Sequence, residues 1–103
     1  MACQRPAKEH VEAVHRYLAK EFPGYVQRSW WEEDTTSQIF EIENGVVLRR
    51  LVIDGGVFWD CPDCTVALSF SDLTDYMRAI RTHTRCFYLL WQDGMLLIRS
   101  TAL

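Results

Sequence analysis

Residues 37–53 read SQIFEIENGVVLRRLVI, two runs of strand-forming residues on either side of Asn44-Gly45. Asn-Gly is the dipeptide that most readily takes the paired positive φ angles of a type I′ turn, so the segment reads as a β-hairpin. A two-residue turn sets Glu43 opposite Val46, Ile42 opposite Val47 and Phe40 opposite Arg49. One face then carries Phe40, Ile42, Val47, Leu51 and Ile53, interrupted by Arg49. The other mixes Ile39, Glu41, Glu43, Leu48, Arg50 and Val52. A one-residue slip would push Glu41 and Glu43 into the core, so the apolar pattern fixes which face is buried. Arg50 is expected to reach Glu41 diagonally across the pair.

On the N-terminal side, Val11, Val14, Leu18 and Phe22 recur at helical spacing and predict a helix over Arg5 to Phe22. Pro6 suits its first turn and Pro23-Gly24 stops it. Tyr25 to Glu33 (YVQRSWWEE) is aromatic and turn-bounded, a strand that sends Trp30 and Trp31 to opposite sides. The polar run Glu32–Thr36 joins it to the hairpin.

On the C-terminal side, Asp54-Gly55-Gly56 reads as a turn, followed by the irregular stretch VFWDCPDCT. A second helix is expected from Ser69 to His83. Ser69 and Asp72 form a capping box there, with Leu68 and Leu73 as its staple. Arg85 to Thr101 reads as a second hairpin around Asp93-Gly94, pairing Gln92 with Met95, Leu90 with Leu97 and Leu89 with Ile98. Its strands are apolar on both sides, which suits a central, sandwiched or interfacial position.

The order α-β-β-β-α-β-β predicts an α+β fold: a two-layer sandwich with an antiparallel sheet of about five strands and two helices on one face. At 103 residues the chain is one domain, residues 1–103, with 49% apolar and 24% charged residues. The net charge is −3, and no third of the chain is a basic tail or an acidic block, which disfavours a field-driven nucleic-acid binder. MACQRPAKEHVE lacks the apolar core of a signal peptide, and no apolar run reaches membrane-spanning length. A reducing cytoplasm is expected, with Cys3, Cys61, Cys64 and Cys86 as thiols or ligands.

Cys61-Pro62-Asp63-Cys64 is the sharpest local motif. A redox role needs the thiols at a helix N-terminus, and the expected helix cap lies several residues away. With His83-x2-Cys86, eighteen residues further on, the motif supplies three thiolates and an imidazole at zinc-site spacing. The intervening helix would be about 21 Å long, while the connector from Cys64 to Ser69 spans at most roughly 17 Å. Convergence on one ion is therefore strained, and a surface loop with incidental thiols is the simpler reading. His10 and His15 are about 140° apart on a helix, cannot share an ion, and read as helix-surface residues. His83 reads as a partner of its helix dipole. Asp54, Asp60 and Asp63 do not match an EF-hand and read as turn residues. Phosphate loops and the G-x-S-x-G elbow are missing from the sequence. Catalytic, cofactor and metal residues are accordingly left unassigned, and the chain is expected not to be an enzyme.

Aromatics and arginines are what interface centres contain. The two-sided apolar strand from Tyr88, together with Trp30, Trp31, Phe58, Trp59 and Trp91, therefore predicts a small protein-interaction module that forms a homodimer, with no membrane partner. The alternatives are a zinc or thiol module on Cys61, Cys64, His83 and Cys86, and single-stranded nucleic-acid binding on a sheet face. The latter would use Arg28, Trp30, Trp31, Arg49, Arg50, Arg85, Tyr88 and Arg99. In element order and acidity the chain resembles class I type III secretion chaperones. Those are small dimeric proteins, so the resemblance also implies a dimer.

Overall fold

The computed structural model describes residues 5–59, 75, 84–92 and 95–102. Helix α1 (Lys8–Glu21) is followed by strands β1 (Val26–Glu32), β2 (Ser37–Glu43) and β3 (Leu48–Asp54), the short helix α2 (Gly55–Trp59), and strands β4 (Thr84–Gln92) and β5 (Met95–Ala102). The strands form one sheet in the order β1-β2-β3-β4-β5. The fold is α+β, as the sequence predicts. Three of its pairings are antiparallel and β3 with β4 is parallel. The parallel pair corrects the expectation of a wholly antiparallel sheet. Each two-stranded turn reverses the chain, but the long connection between β3 and β4 returns it in the same direction.

The helix-side core is the one the alternation predicts. Phe40, Ile42, Leu51 and Ile53 pack with Phe87 and Leu89 of β4 beneath Val14 and Leu18 of α1 and Phe22 at its C-cap. The register of the β2–β3 hairpin, however, lies two residues from the expected one. Glu43 pairs with Leu48, Phe40 with Leu51 and Glu41 with Arg50. The loop is four residues long because Asn44 closes it with its side chain, Oδ1 accepting from the backbone N–H of Val46 (3.0 Å) and Val47 (2.8 Å). Gly45 supplies φ +90°. A two-residue shift keeps the strand side chains on their expected faces; Val46 and Val47 leave the strand for the loop. The β4–β5 register agrees with the sequence reading at every named pair.

Helix α1 begins at Lys8, and its N-cap Ala7 has no side-chain oxygen. His10 substitutes from within the first turn, Nδ1 accepting from the Ala7 N–H at 3.1 Å. Gly24, at φ +85°, lies just beyond the helix C-cap, Phe22. Residues 55–59, read from sequence as a turn and irregular chain, are instead a helical turn. Val57 enters the core, and the Gly55 N–H donates to the Thr36 carbonyl at 2.9 Å. Phe58 stacks on His10 at 5.4 Å between centroids, Trp59 meets the same ring edge-on at 4.9 Å, and Trp59 Nε1 donates to the Arg5 carbonyl. These contacts put α2 on the same face of the sheet as α1. The expected helix from Ser69 to His83 lies outside the described residues, apart from Asp75, which is helical and exposed.

Candidate binding surface

The sheet face opposite α1 is built from alternate residues of every strand. Its middle row crosses the sheet as Trp30, Ile39, Val52, Tyr88 and Arg99. The next row holds Arg28, Glu41, Arg50, Cys86 and Thr101. On the other side of the middle row stand Glu32, Ser37 and Asp54, with the pair Leu90 and Leu97 beyond them. Ile39, Val52 and Cys86 are buried and pack with Tyr88 into a second apolar cluster made only of strand residues. β-branched Val and Ile occupy this face as readily as the helix side, so the central strands are apolar on both sides.

Glu41 is the electrostatic centre. The residue is 6% exposed. Oε2 accepts from Arg50 Nε (2.9 Å) and Nη2 (2.7 Å), and Oε1 from Arg28 Nη2 (3.0 Å). Two guanidiniums on one carboxylate satisfy the buried charge and hold both arginines flat on the sheet. Arg50 also lies 5.9 Å from the centre of the Trp30 ring, a cation–π contact. Further across, the Tyr88 phenol is raised above its ordinary value of 10.0, first by its hydrogen bond with Cys86, which favours the protonated phenol; Thr101 acts in the opposite direction. A cavity of about 510 Å³ opens over Ile39, Val52 and Leu90, with Arg50, Cys86, Tyr88 and Thr101 on one flank and Glu32, Ser37 and Asp54 on the other.

The sequence-predicted sites fare differently. Cys86 is a free, buried thiol on this face. Cys61, Cys64 and His83, the rest of the expected zinc set, lie outside the described residues, as do Asp60 and Asp63. Among the described residues no group of three or more His, Cys, Asp or Glu side chains could hold a metal ion. The arginine–aromatic set is split by the sheet. Arg28, Trp30, Arg50, Tyr88 and Arg99 share the open face, whereas Trp31, Arg49 and Arg85 are on the helix side, where Arg49 lies over Phe87.

Neither histidine of α1 is a bystander on the helix surface, which corrects that expectation. His10 joins the two helices, as above. His15 locks α1 onto β1, with Nδ1 2.6 Å from Gln27 Oε1 and Nε2 2.8 Å from Ser29 Oγ. Gln27 Nε2 donates to the His15 carbonyl at 3.1 Å, so its Oε1 must be the acceptor and His15 Nδ1 the donor. In the neutral ring Nε2 then accepts from the Ser29 hydroxyl. The signal available in the sequence was the phase of β1: Gln27 and Ser29 share the parity of Trp31, the helix-facing set.

No described helix is long and apolar enough to cross a membrane. No protein-family model, curated protein or solved structure matches this chain.

Proposed function

We propose that the chain is a small non-enzymatic protein-interaction module that self-associates through the open face of its sheet. The observation that carries this reading is the second apolar cluster, Ile39, Val52 and Cys86 with Tyr88, on the side of the sheet away from α1. Central strands apolar on both faces gain stability when both faces are covered.

Charge favours a second copy as the cover. Glu32 and Asp54 lie on one side of the middle row; the other side carries Arg28 and Arg50 with Glu41 between them, a net single positive charge. A two-fold axis running across the strands lays each acidic end over the arginines of the mate. It also stacks the row Trp30–Ile39–Val52–Tyr88 on its own copy. Such isologous self-complementarity is what closed dimers require.

Light scattering on purified protein at micromolar concentration tests it. A mass of two chains is expected, and a mass of one chain in the variant Trp30→Lys/Leu90→Lys with an unchanged circular dichroism spectrum. A single-chain mass for the wild type up to about 100 μM, weaker than the affinity of typical specific complexes, overturns the proposal.

A further inference from the structure

Asn44 is the only asparagine of the chain, and a glycine follows it. A side-chain amide in that position can be attacked by the next backbone nitrogen, because the ring that closes has five members and glycine has no Cβ to obstruct it. The β2–β3 loop brings the parts of this reaction together. Asn44 and Gly45 are both exposed. The Gly45 N–H, whose nitrogen would be the nucleophile, makes no hydrogen bond to any described residue. Nothing lies within 4 Å of a carbon added at Gly45, so there is room for the peptide to turn.

The electrophile is prepared as well. Asn44 Oδ1 accepts from the Val46 N–H at 3.0 Å and from the Val47 N–H at 2.8 Å. The Val46 bond folds the side chain back over Gly45, in a ring that includes both Cγ and the Gly45 nitrogen. Two backbone donors on one carbonyl oxygen polarise Cγ, and they hold an oxyanion more tightly than a neutral amide. Asp54 supplies a contrast, since it too precedes a glycine. There the Gly55 N–H donates to the Thr36 carbonyl at 2.9 Å and the residue is buried in α2, so its nitrogen is engaged.

We propose that Asn44 is a self-modification site, at which the folded loop promotes deamidation. A base in the solvent takes the Gly45 amide proton, and the nitrogen adds to Cγ. The negative charge passes to Oδ1, between the Val46 and Val47 N–H groups. The Cγ–Nδ2 bond then breaks, and with a proton from water the nitrogen leaves as ammonia, giving a succinimide. Water opens this ring in one of two ways. Addition at Cγ gives aspartate on the original backbone. Addition at the main-chain carbonyl carbon gives isoaspartate, whose backbone runs through Cβ and Cγ. No oxidant or reductant takes part, and the net charge becomes one unit more negative than −3. Aspartate keeps an oxygen for the Val46 and Val47 donors, whereas isoaspartate lengthens the loop by one backbone carbon. None of these residues belongs to the open sheet face, so the site stands or falls separately from self-association.

Peptide mapping by mass spectrometry tests it on the full chain aged in mildly alkaline buffer, once folded and once unfolded in urea. Conversion of Asn44 to aspartate and isoaspartate is expected, about tenfold faster in the folded chain, the effect of roughly one net hydrogen bond gained by the oxyanion. Asp54 should stay unisomerised while the chain is folded. Val46→Pro, at a position 71% exposed, removes one donor and should slow the folded chain severalfold while leaving the unfolded rate unchanged. Gly45→Ala should slow both. Circular dichroism checks that the variants are folded, and the wild-type comparison alone decides if Val46→Pro is not. A folded chain that reacts no faster than the unfolded one, or folded Val46→Pro reacting at the wild-type rate, overturns the proposal.

Discussion

Arg50 places two of its donors on a single oxygen of Glu41, Nε at 2.9 Å and Nη2 at 2.7 Å, directly across the β2–β3 ladder. Glu41→Ala removes a buried carboxylate that answers two guanidiniums and leaves them facing one another. Breaking a buried pair costs several kcal/mol. Arg28 and Arg50 keep side-chain exposures of 58% and 34% and can turn to water, so a loss of about 2 kcal/mol is expected. Urea denaturation checks it, and a loss below about 0.5 kcal/mol, the scale of an ordinary surface substitution, contradicts the central role of Glu41.

The β2–β3 loop rests on one side chain and one dihedral angle. Asn44→Ala deletes both hydrogen bonds to the Val46 and Val47 amides and should cost about 1 kcal/mol. Gly45→Ala meets no neighbouring atom, since nothing lies within 4 Å of the added carbon. Its cost of about 1–2 kcal/mol comes from the backbone at φ +90° alone. Thermal melts of the two variants should both shift downward; an unshifted Gly45→Ala argues for a different loop conformation.

The row Ser29–His15–Gln27 acts as a clasp between helix and strand. His15→Ala forfeits two side-chain hydrogen bonds and an edge contact with Phe40 at 5.2 Å, for a destabilisation of about 2 kcal/mol. A hydroxyl, an imidazole and an orienting group in line also make up the nucleophile row of hydrolases. The clasp therefore carries a second expectation: a fluorophosphonate probe leaves Ser29 unlabelled. Covalent labelling that disappears in His15→Ala would show an enzyme instead.

Tyr88 gives the molecule an alkaline signature. Its phenol is held above 10.0 chiefly by the Cys86 hydrogen bond. For an acid raised in the folded state, the stabilisation is complete below the unfolded value and fades as pH climbs through the folded one. The unfolding midpoint should thus decline above pH 10.0, and this decline should shrink in Tyr88→Phe. Absorbance at the phenolate band should place the Tyr88 midpoint above those of exposed tyrosines, with Cys86→Ala bringing it down. A Tyr88 midpoint unmoved by Cys86→Ala removes the stated cause.

Strand faces were legible because period-two burial is written directly into Phe40, Ile42, Leu51 and Ile53. The pairing of Arg50 with Glu41 was legible too, although it runs straight across rather than diagonally. Register was less so, since a two-residue shift at Asn44 leaves both faces unchanged. Strand direction is invisible to alternation, so the parallel pairing of Leu51 with Phe87 emerges only from the path of the connection. Helix α2 was hidden because two glycines oppose a helix by propensity, while Val57 and the Gly55–Thr36 hydrogen bond hold it in place through tertiary contacts. The clasp at His15 escaped because polar residues facing a helix resemble solvent-facing ones until the strand's phase is known.

The parallel β3–β4 ladder also sets how this chain must assemble. β1–β2, β2–β3 and β4–β5 each join across a short hairpin loop, whereas β3 finds β4 only after the chain has travelled from Asp54 to Thr84. Loop-closure entropy therefore collects at a single seam. The seam is bridged by six residue pairs and by Phe87 and Leu89 entering the core under α1. The topology leads us to expect that the two hairpin-linked halves zip locally before they dock along that line.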